Sequence, residues 1–264
     1  MAEPVHSFAV LAYGDSPFLE ECLRSLRAQT TGSPIYVTTA TPSSFIDRTA
    51  RRWDVPVCIN PRPEGIAGDW TFAYRACTTP YLTLAHQDDL YVAGYAQSCL
   101  DAARRCPDPL IIFTDYQEVG DGRVVTHGVN LLVKRALLAA MFGGGRCLSH
   151  PRRKRRLLSL GCVIACPSVM FHRRLIGDFA FSPDYQVDLD WDAWTRLAQR
   201  PGSFCYLPQR LVTHRLHGGA ATAQAIAGGI RQREDLAMFL RYWPGPAARL
   251  IARTYRLSLR TRRK

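Results

Sequence analysis

The run YLTLAHQDDLY, residues 81 to 91, carries an apolar strand-like pattern straight into two adjacent carboxylates, Asp88 and Asp89. Like charges at the edge of a core repel, and their desolvation is costly unless something positive meets them. Paired acids at a strand end suit a hard divalent cation, which takes oxygen ligands and keeps coordination positions for substrate phosphates. The plainer alternative is a cap, with both acids facing the N-terminus of a helix that begins near YVAGYAQ.

Other polar groups fall at equivalent places. Tyr13 and Asp15 follow SFAVLAY, Thr39 and Thr41 belong to the end of PIYVTT and what comes after it, His86 to Asp89 follow PYLTLA, and Asp115 closes PLIIFTD. Clusters at four strand ends point to one site.

Those positions depend on the elements that carry them. Over the first half, the strand-like runs SFAVLAY, PIYVTT, VPVCIN, PYLTLA and PLIIFTD alternate with helical patterns in DSPFLEECLRSLRAQ, PSSFIDRTARRW, AGDWTFAYRAC and GYAQSCLDAARRC. Repeated βα units of this length predict an α/β fold with a mostly parallel sheet flanked by helices. Such sheets bind ligands at the carboxyl ends of their strands. The first helix is expected to be capped by Asp15 or Ser16, with Pro17 in its first turn. The second half is less regular. LGCVIACPSVMFHRRLI reads as two short strands or a strand and turn, DLDWDAWTRLAQR as a helix, SFCYLPQRLVTHRLH as a hairpin-like segment, and AIAGGIRQREDLAMFLRYW as a helix. Glycines 143 to 145 and the cations after them read as a mobile loop.

With 264 residues, 47% hydrophobic and 21% charged, the chain is globular and large enough to bury a substantial core. The N-terminus shows no basic segment ahead of a long apolar one, so no secretory signal is expected. Apolar runs such as LGCVIACPSVMF fall well short of the roughly 20 residues that span a bilayer. Nine cysteines without a CxxC pair, the nearest being Cys162 and Cys166, are expected as buried free thiols of a reducing cytosol. The net charge of +12 is concentrated in Arg152 to Arg156 and in a tail where Arg249, Arg253, Arg256, Arg260 and Arg263 would form one stripe of a helix.

FAVLAYGDSPFLEECLRSLRAQT followed by NPRPEGIAGDWTFAYRACTTPYLTLAHQDDLY resembles the family 2 glycosyltransferases of the GT-A fold, over roughly residues 7 to 217. The resemblance implies a Rossmann-like α/β fold, a nucleotide-diphosphate sugar donor, Mg²⁺ or Mn²⁺, and transfer with inversion at the sugar carbon to a glycan or lipid-linked hydroxyl. It divides the chain into a catalytic domain, residues 1–218, and a basic helical extension, residues 219–264. Within the domain, residues 1–115 would hold the donor and 116–218 the acceptor.

Carried onto this sequence, the resemblance gives Asp88 and its neighbour Asp89 to the metal, with His217 reaching metal or phosphate. Donor contacts fall on Tyr13, Asp15, Thr39, Thr41, Asp69, His86, Asp88 and Arg215, where Arg215 would neutralise the leaving diphosphate. Inverting transfer needs a general base, and LDWDAWTRLAQR places Asp190 in that role, with Asp188 as second candidate and Asp192 as a supporting residue. Two positions depart from the family pattern. His86 replaces a more usual aspartate, and TTATPSS offers hydroxyls where relatives often have an acid that reads the base. For Tyr13, Asp69, Arg215 and His217 the alternatives are ordinary packing, helix capping and a polar hairpin end.

The basic run suggests a loop that attracts a lipid-linked pyrophosphate or an anionic membrane surface, and the tail suggests a helix lying on membrane. The expected role is cell-surface polysaccharide or lipid-linked glycan synthesis, in the cytoplasm and peripherally on the inner face of the plasma membrane. Two other classes fit parts of the sequence. A nucleic-acid-binding protein would share the pI near 9.6, but no recognisable module accompanies it and the strand-end acids would repel a phosphate backbone. A non-catalytic relative would keep donor binding alone.

Overall fold

The structure, a computed structural model, describes residues 3–120, 122–218 and 229–260, with only the backbone considered at 257–260. Among these residues the strands are β1 (His6–Ala12), β2 (Ile35–Thr39), β3 (Val57–Ile59), β4 (Tyr81–His86), β5 (Leu90–Tyr91), β6 (Pro109–Gly120), β7 (Arg123–Val125), β8 (Cys147–Leu148), β9 (Val169–His172) and β10 (Ser203–Arg215). The helices are α1 (Leu19–Arg27), α2 (Ser44–Arg52), α3 (Gly65–Ala76), α4 (Tyr95–Arg104), α5 (Val129–Phe142), α6 (Pro151–Leu158), α7 (Arg173–Ile176), α8 (Leu189–Ala198), α9 (Ile230–Leu240) and α10 (Gly245–Arg260).

One sheet runs in the order β3-β2-β1-β4-β9-β6-β10-β5, with β7 on β6 and β8 on β10. The β3-β2-β1-β4 half is parallel, as the βα alternation predicts, and β6 pairs parallel with β10. Strand β9 runs against both β4 and β6, which makes the whole sheet mixed. Alternation along β1 splits the core between the two faces. Phe8 and Val10 pack with α1, α2 and α4, while Ala9 packs with α3, α8 and the C-terminal helices.

Several local expectations change. Strand β6 does not stop at Asp115 but continues to Gly120, because its polar second half still pairs with β10. Asp115 is therefore buried inside the strand, bound to Arg135 at 2.7 Å and to its neighbour's N–H, and is not a strand-end group. The segment read as a hairpin is the single bent strand β10, whose register shifts near Arg210. Of the two readings of LGCVIACPSVMFHRRLI, the strand and turn is the one observed, a turn at Cys166–Ser168 leading into β9.

The cationic run is helix α6 rather than a loop. Pro151 starts it with a preset φ, and the His150 ring accepts from the Arg152 N–H. Helical period then sorts the cations: Lys154 is turned fully inward and donates to the carbonyls of Arg200 and Gly202, both at 2.7 Å, while the flanking arginines stay exposed. Gly202 has φ +103°, and a Cβ there would lie 2.7 Å from the Asp108 carbonyl oxygen. Gly202→Ala is expected to cost about 1–3 kcal/mol, read as a lower midpoint of denaturant unfolding with an unchanged slope.

Seven cysteines are free, as expected, but Cys106 and Cys147 are joined in a disulfide. The end of α4 and strand β8 meet beside β10, across 41 residues of sequence.

The C-terminal helices belong to the same core as α8. Phe239 of α9 meets Trp191 edge-on at 5.0 Å, and Tyr255 of α10 packs against both. No described helix is long and apolar enough to cross a membrane.

Candidate functional site

The carboxyl ends of β1, β2 and β4 form one edge, and a set of short bonds ties it together. Gln87 accepts the Tyr13 N–H at 3.1 Å and returns a bond to the Tyr13 carbonyl at 3.0 Å, fixing the loop after β1 to the loop after β4. Gly14, at φ +61°, donates its N–H to the Thr41 hydroxyl, and Thr39 accepts from the Thr41 N–H. Asp15 accepts from the Ser43 hydroxyl, which also caps α2. The Tyr13 ring is left 70% exposed at the rim.

Asp88 and Asp89 have different surroundings. Asp89 is 1% exposed; its Oδ1 accepts from the Arg215 N–H at 2.8 Å and lies 3.1 Å from His214 Nδ1. Burial pushes the Asp89 carboxyl up, but His214, His86 and the Arg215 N–H together hold it below the usual range. Burial likewise pushes His214 down, and Asp89 more than offsets it, so the imidazolium is favoured. Asp88 instead reaches outward: Oδ1 accepts from the Ser16 hydroxyl at 2.7 Å, and Oδ2 lies 3.0 Å from His217 Nε2, both side chains being partly open to solvent.

Arg215 is built into this edge. Its guanidinium stacks over Phe18 at 4.2 Å, binds Glu21 at 2.7 Å and donates to the Asp88 carbonyl at 3.0 Å. His86 stands 5.1 Å from Trp70 across tilted rings, its Nε2 is buried without a hydrogen-bond partner, and desolvation lowers its pKa, favouring the neutral ring. Asp69 is not at the start of a helix: α3 begins at Gly65, so Asp69 lies inside its first turns. There it accepts from Asn60 at 2.8 Å, with burial raising its pKa and Asn60 working against that.

The second acid cluster sits at the head of α8. Asp190 accepts the Trp191 N–H at 2.7 Å and the Cys162 thiol at 3.6 Å. Burial raises its pKa, opposed by the Trp191 N–H and the Lys134 and Arg231 cations. Asp188 is 2% exposed and hydrogen-bonds the Asp235 carboxyl, and burial, first, and the Asp235 charge raise its pKa strongly. Asp192 is clamped between Arg196 at 2.8 Å and Arg241 at 2.6 Å. Glu234 of α9 accepts three consecutive N–H groups, from Gln186, Val187 and Asp188, at 2.8, 2.8 and 3.0 Å, so the C-terminal helices brace the approach to Asp190.

The two clusters share a neighbourhood. The buried Cys166 thiol is pushed up by desolvation and by both Asp190 and Asp89, and Lys134 acts on both Asp190 and His214. Sequence reasoning named Ser16 only as a helix cap and Gln87 only within the span His86 to Asp89, and it missed His214, Lys134 and Glu234. His214 lies inside THRLHGG; Lys134 and Glu234 carry no local signal.

No family model matches the chain, and neither does any curated protein. Among solved structures it is similar to S. aureus TarS residues 1–349 in complex with UDP-GlcNAc, at TM-score 0.62 and 12% identity, covering 94% of this chain and 70% of that one. It is similar to the mannosyltransferase PcManGT from Pyrobaculum calidifontis in complex with GDP-Man and Mn²⁺, at TM-score 0.66 and 16% identity, covering 98% and 73%. Against a longer S. aureus TarS chain the TM-score is 0.58 at 12% identity, and this chain spans 42% of that one. The chain thus has a mixed-sheet fold of the GT-A glycosyltransferase type, shared with TarS and the mannosyltransferase.

Proposed function

We propose that this protein is a metal-dependent inverting glycosyltransferase that moves a sugar from a nucleotide-diphosphate sugar to a hydroxyl of a glycan or lipid-linked acceptor in cell-surface polysaccharide synthesis. The observation that carries the reading is the pairing of Asp88 with His217 at the sheet edge, where the adjacent Asp89 and the Asp190 of the second cluster both act on the buried Cys166. The fold similarity to proteins solved with UDP-GlcNAc and with GDP-Man and Mn²⁺ supports it.

Asp190 is the general base. As the acceptor oxygen bonds to the sugar carbon and the bond to the diphosphate breaks, the acceptor proton passes to Asp190. A carboxyl raised by burial holds a proton better than an exposed one, which suits that step. Asp188, sealed and itself favouring the protonated form, takes a supporting place behind it.

Tyr13, Asp15, Thr39, Thr41 and Asp69 border the nucleotide. His86 offers an unpaired ring nitrogen to the donor. Arg215 adds positive charge near the leaving group, while its stacking on Phe18 and bond to Glu21 keep it in place.

Mg²⁺ or Mn²⁺ fits the donor set of Asp88 and His217, a carboxylate oxygen and an imidazole nitrogen, and when bound would offset the charge of the leaving diphosphate. Asp89, with its charge already met by His214 and Arg215, orients this edge from behind.

The test is nucleotide release from UDP-, dTDP- and GDP-sugars with and without Mg²⁺ or Mn²⁺; release from none of them under any metal would sink the reading. His217→Ala is expected to raise the Mn²⁺ concentration for half-maximal release at least about tenfold. An unchanged metal titration would move the cation away from this pair.

A further inference from the structure

Helix α5 has its polarity reversed. Its charged residues, Lys134 and Arg135, both turn inward, Lys134 to the Tyr116 hydroxyl at 3.0 Å and Arg135 to Asp115 at 2.7 Å. Its exposed face is Val129, Leu132, Val133, Ala136, Ala139 and Ala140, with Val129 63% exposed. That spacing is one helical stripe, where a water-facing helix would carry polar side chains. Val124 and Val125 of β7 are also exposed, and Val125 lies against Gly128 at the head of α5, so the apolar surface is continuous across both elements. Contiguous exposed apolar surface marks an interaction site.

The surroundings of the stripe decide what it meets. Arg153 of α6 donates to the Met141 carbonyl at 2.6 Å, holding α6 to the end of α5. Arg152, Arg153, Arg155 and Arg156 are exposed, and among the described residues none of them pairs with a carboxylate. Helix α10 packs against α5 and exposes Arg249, Leu250 and Arg253. The sequence has no acid between Asp121 and Asp178, and none after Asp235. A symmetric contact with a second copy would bring these arginines face to face. An anionic lipid surface instead meets the arginines with opposite charge and takes the apolar stripe into its headgroup boundary.

We propose that the outer face of α5, with β7, docks on an anionic membrane surface, with the α6 arginines at the headgroups. The inner face of the same helix carries Lys134, which acts electrostatically on Asp190 and His214. Docking therefore sets one wall of the site against the membrane, where a lipid-linked acceptor would enter. This last consequence rests on the transferase reading; the docking does not.

The test is co-sedimentation of the full chain with phosphatidylcholine vesicles, with and without phosphatidylglycerol, alongside donor turnover measured without vesicles. The wild type is expected to pellet with the anionic vesicles and stay in solution with the neutral ones. Leu132→Asn with Val133→Asn is expected to cut the vesicle-bound fraction at least tenfold, with circular dichroism and vesicle-free turnover unchanged. Arg152→Glu with Arg156→Glu is expected to weaken binding in proportion to anionic lipid. A wild type that stays in solution with every vesicle overturns the proposal, as does loss of binding on the arginine changes but not on the apolar ones. A wild-type dimer that Leu132→Asn and Val133→Asn dissociate, without vesicle binding, gives the face to a second copy and also overturns it. Vesicle binding without donor turnover leaves the docking standing and removes the transferase reading; turnover without vesicle binding does the reverse.

Discussion

Asp190→Asn is expected to lower the rate of sugar transfer by about 10²–10⁴-fold, the contribution typical of a positioned general base. The side chain is half-buried at the head of α8, and asparagine keeps an oxygen to accept the Trp191 N–H, so the helix start survives the change. What is lost is a group that can take a proton. The donor KM should stay near the wild-type value, because Asp88, His217 and the loops after β1 and β2 are untouched. Equal loss in kcat and in donor affinity would instead point to a structural role.

The same residue predicts a pH profile. Burial raises the Asp190 pKa, so activity should fall on acidification through an apparent value above the ordinary aspartate value of about 3.9. The protonated form cannot act as base, so the limb lies on the acid side. Lys134 lowers the Asp190 pKa, and Lys134→Met should therefore move that limb to higher pH. In Asp190→Asn the limb should be absent from the residual activity.

The parallel half of the sheet was legible because each strand is a short β-branched run and each helix follows within a few residues; β1, β2, β3 and β4 all appear where the pattern puts them. The strand-end acids were legible for the same reason, since a run that ends on charge marks its own boundary. Reading failed where tertiary partners decide. Asp115 looks terminal, yet pairing with β10 carries the strand past it. The cations of 152–156 look like a loop, yet helical period hides Lys154 under α6, where two carbonyls receive it. The bonds that organise the site join residues 72, 74 and 125 positions apart, as in Ser16 with Asp88, Tyr13 with Gln87 and Asp89 with His214, and no local pattern encodes such pairs. Of the tail arginines, Arg256 bonds Gln232, Arg249 and Arg253 are exposed, and Arg263 and the Arg260 side chain lie outside the described residues.

Asp88 and Asp89 should respond to the same substitution in opposite ways. Asp89→Asn removes the charge of a fully enclosed carboxylate that holds both the His214 ring and the Arg215 N–H. Breaking a buried pair costs about 3–5 kcal/mol, and the partly exposed His214 puts this case near the lower end. At about 2–4 °C per kcal/mol for a chain of this size, the melting temperature should fall by roughly 6–12 °C. Asp88→Asn keeps an acceptor for the Ser16 hydroxyl at a partly open position, so its stability change should stay within about 0.5 kcal/mol. Its effect should appear in the metal titration, as loss of Mn²⁺-stimulated nucleotide release. Thermal melts and metal titrations on the two variants separate these outcomes. An Asp89→Asn protein that melts like the wild type but no longer responds to Mn²⁺ would exchange the two roles. The expected pattern answers the electrostatic problem posed by the adjacent acids: Asp89 has its positive partner within the fold, and Asp88 is left to meet one that arrives with the substrate.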